Sequence, residues 1–248
     1  MSRIILDCEQ RTPAWFAARA GKLTASVAHV LTMQGRTKGA ESATRRDLRV
    51  QLALERVTGQ PAEPSFTGNA DTERGNALEA DALAAYEART GVLLSRVGFV
   101  HRDDLPIGCS PDGALVMSDT FDSRVITFEG GVDAKAPRPA NHLAWLREPS
   151  KLVADYEAQI AHTLLVTGAP WWDLASYCPQ FPAESRLLIV RLIPTALYGD
   201  AHVDVLRQSP CPRPVDLAAH ELNVRLFLKE VDQEAADIRR LTGQEVAK

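Results

Sequence analysis

Cysteine is scarce in this 248-residue chain, and aromatic residues make up only 6% of it. Cys8, Cys109, Cys178 and Cys211 lie far apart with no C-x-x-C pair. That spacing argues against a zinc ribbon or a four-cysteine iron–sulfur cluster and leaves reduced, mostly buried thiols as the expectation. No H-x-x-x-H pair is present to bind zinc from a helix, so His101, His142 and His162 are expected to be structural or to contact a ligand. No G-x-x-x-x-G-K-[ST] loop is present, so ATP is not expected as a cofactor. No uncharged apolar run approaches the ~18–20 residues of a membrane helix. The apolar stretch within Met1–Cys8 is too short for a signal peptide, so a cytoplasmic location away from membranes is expected. Positive charge is not in excess either: the formal net charge is −4, unlike that of a protein that coats nucleic acid indiscriminately.

A hydrophobic share of 45% suits a globular core, and no repeat or low-complexity tract divides the chain. Helical periodicity dominates the first 90 residues. Helices are predicted over Pro13–Ala20, after the cap Thr24-Ala25-Ser26, over Arg45–Thr58 with Val50, Ala53, Leu54 and Val57 inward, and over Thr72–Thr90. The middle alternates like strands: Val97–His101, Ile107–Cys109, Ala114–Met117, Val125–Phe128 and Val132–Lys135, with a bulge or turn at Glu129-Gly130-Gly131. A helix over about Leu152–Val166, strands over Asp173–Tyr177 and Leu187–Ile193, and a long helix over Asp216–Leu241 follow the Asp133 strand. The Pro-rich stretch Ser209–Pro214 is read as a short connection to that last helix. The expectation is one α/β domain over 1–248, a mixed central sheet flanked by helices, with an N-terminal helical subregion and a helical part from about 195.

Chemistry concentrates at two places. Ser110-Pro111-Asp112-Gly113 reads as a turn in which Pro presets one angle and Gly tolerates a left-handed one. Asp133-Ala134-Lys135 ends a strand stopped by Pro137, and strand alternation sends Asp133 and Lys135 to one face. Two carboxylates and the Ala134 carbonyl are the hard oxygen ligands that Mg²⁺ or Mn²⁺ prefers. A lysine beside such an ion can hold or deprotonate a water, as phosphodiester hydrolysis requires. Between Gly35 and Gln60, Arg36, Lys38, Arg45, Arg46, Arg49 and Arg56 outnumber the acids and read as a phosphate-tracking surface, Arg45 and Arg46 foremost.

Gln10 to Ser26, with Trp15, Arg19 and Ser26 inside it, resembles the opening motif of lambda-exonuclease-type (YqaJ-type) viral recombinases. Arg74-Gly75-Asn76-Ala77-Leu78-Glu79, the SPDG turn, the D-x-K strand and Tyr156-Glu157-Ala158-Gln159 follow in that family's order, over roughly residues 10–193. The resemblance implies a restriction-endonuclease-like core that digests linear double-stranded DNA 5′→3′ with two Mg²⁺ ions per site. Its products would be 3′ single strands and 5′-mononucleotides for phage-type recombination by single-strand annealing. It implies metal ligation by Asp112, Asp133 and the Ala134 carbonyl, with Lys135 at the water. Glu79 would serve a second metal or its water, and Gln159 would orient strand and water. Arg19 and Ser26, assisted by Ser110, would grip the terminal 5′ phosphate. A ring-shaped homotrimer and a single-strand annealing partner are implied too. The lambda enzyme has Glu where this chain has Asp133, a difference of one methylene that shifts the metal distance. A related nuclease of other polarity, an endonuclease and a non-catalytic DNA-end-binding module are the competing readings.

Overall fold

The computed structural model of the chain describes residues 3–37, 39–62, 70–118, 126–198 and 213–243. Lys38, Val125, Cys211 and the Pro-rich stretch up to Pro212 lie outside them. Nine strands form two sheets among the described residues. The smaller contains β1 (Arg3–Leu6), β3 (Phe99–Arg102), β4 (Ile107–Cys109) and the two-residue β2 (Leu23–Thr24), in the order β1-β3-β4-β2. The larger runs β5 (Gly113–Ser118), β6 (Ile126–Lys135), β7 (Trp172–Tyr177), β8 (Leu187–Pro194) and β9 (Arg213–Val215) in chain order. Parallel β6–β7 and β8–β9 pairs make this sheet mixed, as predicted. Its division from a second, smaller sheet was not visible as strand alternation. β1 and β2 are too short to show a period.

The predicted β6 is one strand rather than two. Leu115 faces Gly130 and Val116 faces Phe128, so Glu129 is the extra residue of a β-bulge. The bulge keeps β6 paired with β5 from Ile126 to Val132, and Asp133–Lys135 continue the strand paired with β7 alone.

Helices cover both sheets. The helix α1 (Pro13–Arg19) is capped by Thr12, whose hydroxyl accepts the Trp15 N–H, and it leads to a 3₁₀ helix over Ala25–Thr32. In α2 (Ala43–Thr58), Ser42 caps the start and left-handed Gly59 ends it. The inward residues of α2 are Leu52, Ala53 and Glu55, and Leu54, expected inside, is 44% exposed. On α3 (Ala70–Thr90), Ala82, Leu83 and Tyr86 press onto Val132 of β6, Ala175 and Tyr177 of β7 and Leu187 of β8. The unpredicted α4 (Pro139–Arg147) precedes α5 (Pro149–Thr167), whose last turns are wholly buried. After the four-residue α6 (Thr195–Tyr198), the long α7 (Leu217–Thr242) packs Val224, Phe227, Leu228, Val231 and Ala235 inward. Leu241, the last residue of the helix as predicted, is 81% exposed.

Candidate active site

Asp112 stands at the corner where the chain leaves β4 and enters β5, so it bridges the two sheets. Gly113 does not use the left-handed freedom expected of it; it already belongs to β5. Its lack of a side chain matters for closeness instead, because a Cβ there would lie 2.7 Å from Leu94 Cδ1. Paired backbone hydrogen bonds between Ser95 and Ala114 run beside that contact. The turn is held at every residue. Trp15 Nε1 donates to Ser110 Oγ at 2.8 Å and Gln10 Nε2 to the Pro111 carbonyl at 3.1 Å. Arg96 Nη1 donates to the Asp112 carbonyl at 3.2 Å.

The end of β6 lies alongside. Its Ala134 N–H donates to Asp112 Oδ2 at 2.8 Å and orients that carboxylate. Asp133, 3% exposed, receives Gln159 Nε2 of α5 on Oδ2 at 2.6 Å. Gln159 Oε1 accepts from Lys135 Nζ at 3.5 Å, and the ammonium stands 3.8 Å from Asp133 Oδ2. The three side chains form a closed triangle on one face of β6, as strand alternation requires. The Lys135 ammonium also sits 4.8 Å from the centre of the Tyr156 ring. A cleft of about 450 Å³ opens beside Ala134 and Lys135, walled by Gly75, Pro137, Trp145 and Tyr156.

Electrostatics mark this as a place short of positive charge. Burial, then the neighbouring Asp133 and Glu79, push the Asp112 carboxyl up to about 7, against the pull of Lys135 and the Ala134 N–H. Burial alone would lower the Lys135 pKa, but Asp133, Asp112, Tyr156 and Glu79 outweigh it and raise it. Lys135 is therefore a firmly protonated donor at neutral pH. Crowded carboxylates beside a backbone carbonyl fit a hard divalent cation. Among the described residues no three acidic, histidine or cysteine side chains already converge as a metal cluster. Glu79 explains part of that, since its carboxylate is drawn to Arg96 Nη1 at 3.0 Å and Arg11 Nη2 at 3.4 Å.

Arg19, Ser26 and Ser110 come together in a second group. Arg19 Nη2 donates to Thr24 Oγ1 at 3.2 Å and Ser26 Oγ at 3.4 Å, and its guanidinium lies 4.0 Å from the Trp15 ring centre. No carboxylate among the described residues is within ion-pair distance of it. Burial lowers its pKa to about 10, partly offset by Glu55 and Cys109, and the group stays charged. A desolvated cation beside hydroxyls is suited to an anion from outside. The sequence placed Trp15 only within the Gln10–Ser26 motif; its contacts to both Arg19 and Ser110 needed the fold.

Arg45 and Arg46 are not brought to either group. Arg45 forks onto Glu230 at 2.7 and 2.9 Å and also meets Glu41; Arg49 reaches Glu41 and Glu234, and Arg56 reaches Asp232. The predicted phosphate-tracking surface is here largely a joint between α2 and α7, because the i,i+4 spacing of Arg45 and Arg49 matches that of Glu230 and Glu234. Arg46 pairs with Asp47 in solvent. His142 binds Ser176 Oγ and the Ser185 carbonyl, and His162 meets His220 and the Leu23 carbonyl, so both are structural. Of the described cysteines, Cys109 and Cys178 are buried and Cys8 is half-buried, all free.

A mixed sheet carrying an acidic D-x-K strand end beside an acidic turn defines a nuclease-type core. The YqaJ-like viral recombinase domain model matches residues 14–170, and the chain belongs to that family. An alkaline exonuclease from Laribacter hongkongensis, LHK-Exo, is similar over 94% of this chain and 99% of its own, at 26% identity with a TM-score of 0.68. The same protein in complex with dAMP gives 0.69 over the same shares at the same identity. A phage-related exonuclease from Haemophilus somnus 129PT shares the fold at 15% identity, with a TM-score of 0.58 over 88% of this chain and 96% of its own. No curated protein matches the sequence. Family and fold together give the general role of a nuclease.

Proposed function

We propose that the protein is a Mg²⁺-dependent 5′→3′ exonuclease that digests linear double-stranded DNA to 3′ single strands and 5′-mononucleotides, serving phage-type recombination by single-strand annealing. The observation that carries this reading is the pairing of the Asp112–Asp133–Lys135 site with a half-buried Arg19 that has no carboxylate partner among the described residues, joined through Trp15 and Ser110. Asp112, Asp133 and the Ala134 carbonyl would hold the cation, and Glu79 would serve a second ion or its water. Bound Mg²⁺, or Mn²⁺ in its place, would supply Lewis acidity to the phosphoryl oxygens and an ionised water. Lys135, protonated, would orient that water by donating to it, and Gln159 would keep the ammonium and Asp133 in register. Arg19, Ser26 and Ser110 would receive the 5′ phosphate; because Ser110 Oγ accepts from Trp15, its own hydroxyl hydrogen is free to donate outward.

Among the described residues no helix is long and apolar enough to cross a membrane, and the proposed setting is the cytoplasm of a bacterial host. A homotrimeric ring around DNA and an annealing-protein partner complete the proposal. A solution mass three times the 27.1 kDa chain checks the ring. The phosphate role is tested with Arg19→Ala on duplexes ending in 5′ phosphate or 5′ hydroxyl. Loss of a charged hydrogen-bond pair, about 2–3 kcal/mol, is expected to slow the phosphorylated substrate tens-fold and the hydroxyl one far less. Equal slowing of both would remove Arg19 from end recognition.

A further inference from the structure

The Glu79 carboxylate is met by two arginines from different parts of the chain, neither yet given a part in binding. Arg96 follows the Ser95–Ala114 bridge and divides one nitrogen between Glu79 Oε1 and the Asp112 carbonyl. Arg11 precedes the Thr12 cap of α1 and reaches Glu79 Oε2. Both guanidiniums are outward-facing, 60% and 54% exposed, while Glu79 is 26% exposed. They line a cleft of about 420 Å³ with Cys8, Gln10 and Gly98; Asp7 and Glu9 share it without pairing to either arginine. Arg11 is also the only non-glycine residue with positive φ among those described, at 68°. A residue held in that conformation costs of order 1 kcal/mol or more, and such residues cluster where a ligand is clamped.

We propose that Arg11 and Arg96 form a second phosphate grip beside the metal turn, in which the Glu79 carboxylate stands in for an internal phosphodiester of the duplex. Carboxylate and phosphate oxygens offer guanidinium the same geometry, so one can replace the other. With Glu79 committed to a cation, the two guanidiniums are released and pair with the DNA backbone. Without the cation they stay neutralised by Glu79. Cation and duplex therefore bind cooperatively through this pair, and by linkage each strengthens the other. This inference rests on the proposed reading of Glu79 and of duplex DNA as substrate.

The test is equilibrium binding of a blunt duplex to the full chain, with Ca²⁺ as a non-cleaving probe or with EDTA, across a salt series. Arg11→Gly/Arg96→Ala is the variant of choice, since glycine accepts the left-handed backbone; Arg11→Lys/Arg96→Lys retains the charges. With Ca²⁺ the first variant is expected to bind roughly tenfold more weakly, and its slope of log K against log salt to fall by about 1–2, near 0.9 per lost phosphate contact. In EDTA the loss should stay within about twofold, and the lysine variant should keep the wild-type slope. An unchanged slope, or equal weakening with and without Ca²⁺, overturns the proposal. A loss confined to 5′-phosphorylated duplexes also overturns it, by assigning the arginines to the terminal phosphate. Failure of wild-type protein to bind duplex more tightly with Ca²⁺ would instead reject the underlying reading of the site.

Discussion

At the scale of single residues the site turns on two charges held in unlike ways. Lys135 is bound by Gln159 and faces Asp133, so its ammonium is a fixed donor rather than a base. Lys135→Ala is expected to cut turnover by roughly 10²–10³-fold, as for loss of a preorganised hydrogen-bond donor, with DNA affinity and melting temperature little changed. Near-wild-type turnover in the folded variant would remove Lys135 from the chemistry. Asp112 gives the pH dependence. An aspartate in the unfolded chain ionises near pH 4, whereas in the folded chain Asp112 holds its proton to about 7. Between those values the folded state binds more protons than the unfolded state, so this group's contribution lowers stability as pH rises through the window. A cation at Asp112 competes with that proton. The Ca²⁺ or Mg²⁺ concentration for half-saturation should therefore fall as pH goes from about 6 to 8 and level off above it. Calorimetry showing a flat profile would mean that Asp112 is not the ligand. These residues were legible in the sequence because their spacing is local: i and i+2 on a strand, and an acid in a Pro-Asp-Gly turn. Trp15, Arg11 and Arg96 were not, since their partners lie 95, 68 and 17 residues away in the chain.

At the scale of elements, helices with clear caps and periods were readable, and short pieces were not. The cap Ser42 and the stop at Gly59 bound α2 much as periodicity suggests, while β1, β2 and β9 exist only through their pairing partners. Arginine density on α2 reads in the sequence as a phosphate-tracking surface, and composition does not say what a face meets; here Arg45 and Arg49 meet the acidic face of α7. β6 shows the same limit in another form. Its Glu129-Gly130-Gly131 stretch reads in the sequence as a bulge or turn between two strands; the bulge is there within one strand, and the glycines serve closeness as well: a Cβ on Gly131 would lie 2.3 Å from the Trp172 ring. Trp172 is fully buried, with little room to move. Gly131→Ala should cost roughly 3 kcal/mol through overpacking and displace the end of β6 that carries Asp133 and Lys135. Denaturant unfolding measures the cost, and wild-type stability would show that β6 and β7 are less tightly packed here than this contact requires.

At the scale of the whole molecule, the acidic turn between the two sheets and the Arg19 pocket lie within one connected set of contacts. Trp15 spans both, with Arg19 against its ring and Ser110 on its indole nitrogen. Under the proposed function, end recognition and hydrolysis would share one framework, and that would give digestion its direction. Overall charge, −4, does not foretell this, because the relevant cations are few and placed singly. The most direct measurement is digestion of linear duplex labelled at the 5′ or the 3′ end of each strand, with and without Mg²⁺. The proposed function requires early release of the 5′ label as a mononucleotide, late or no release of the 3′ label, and no release of either in EDTA. Release of the 3′ label first, internal cuts in circular duplex, or equal digestion without a divalent cation would contradict it.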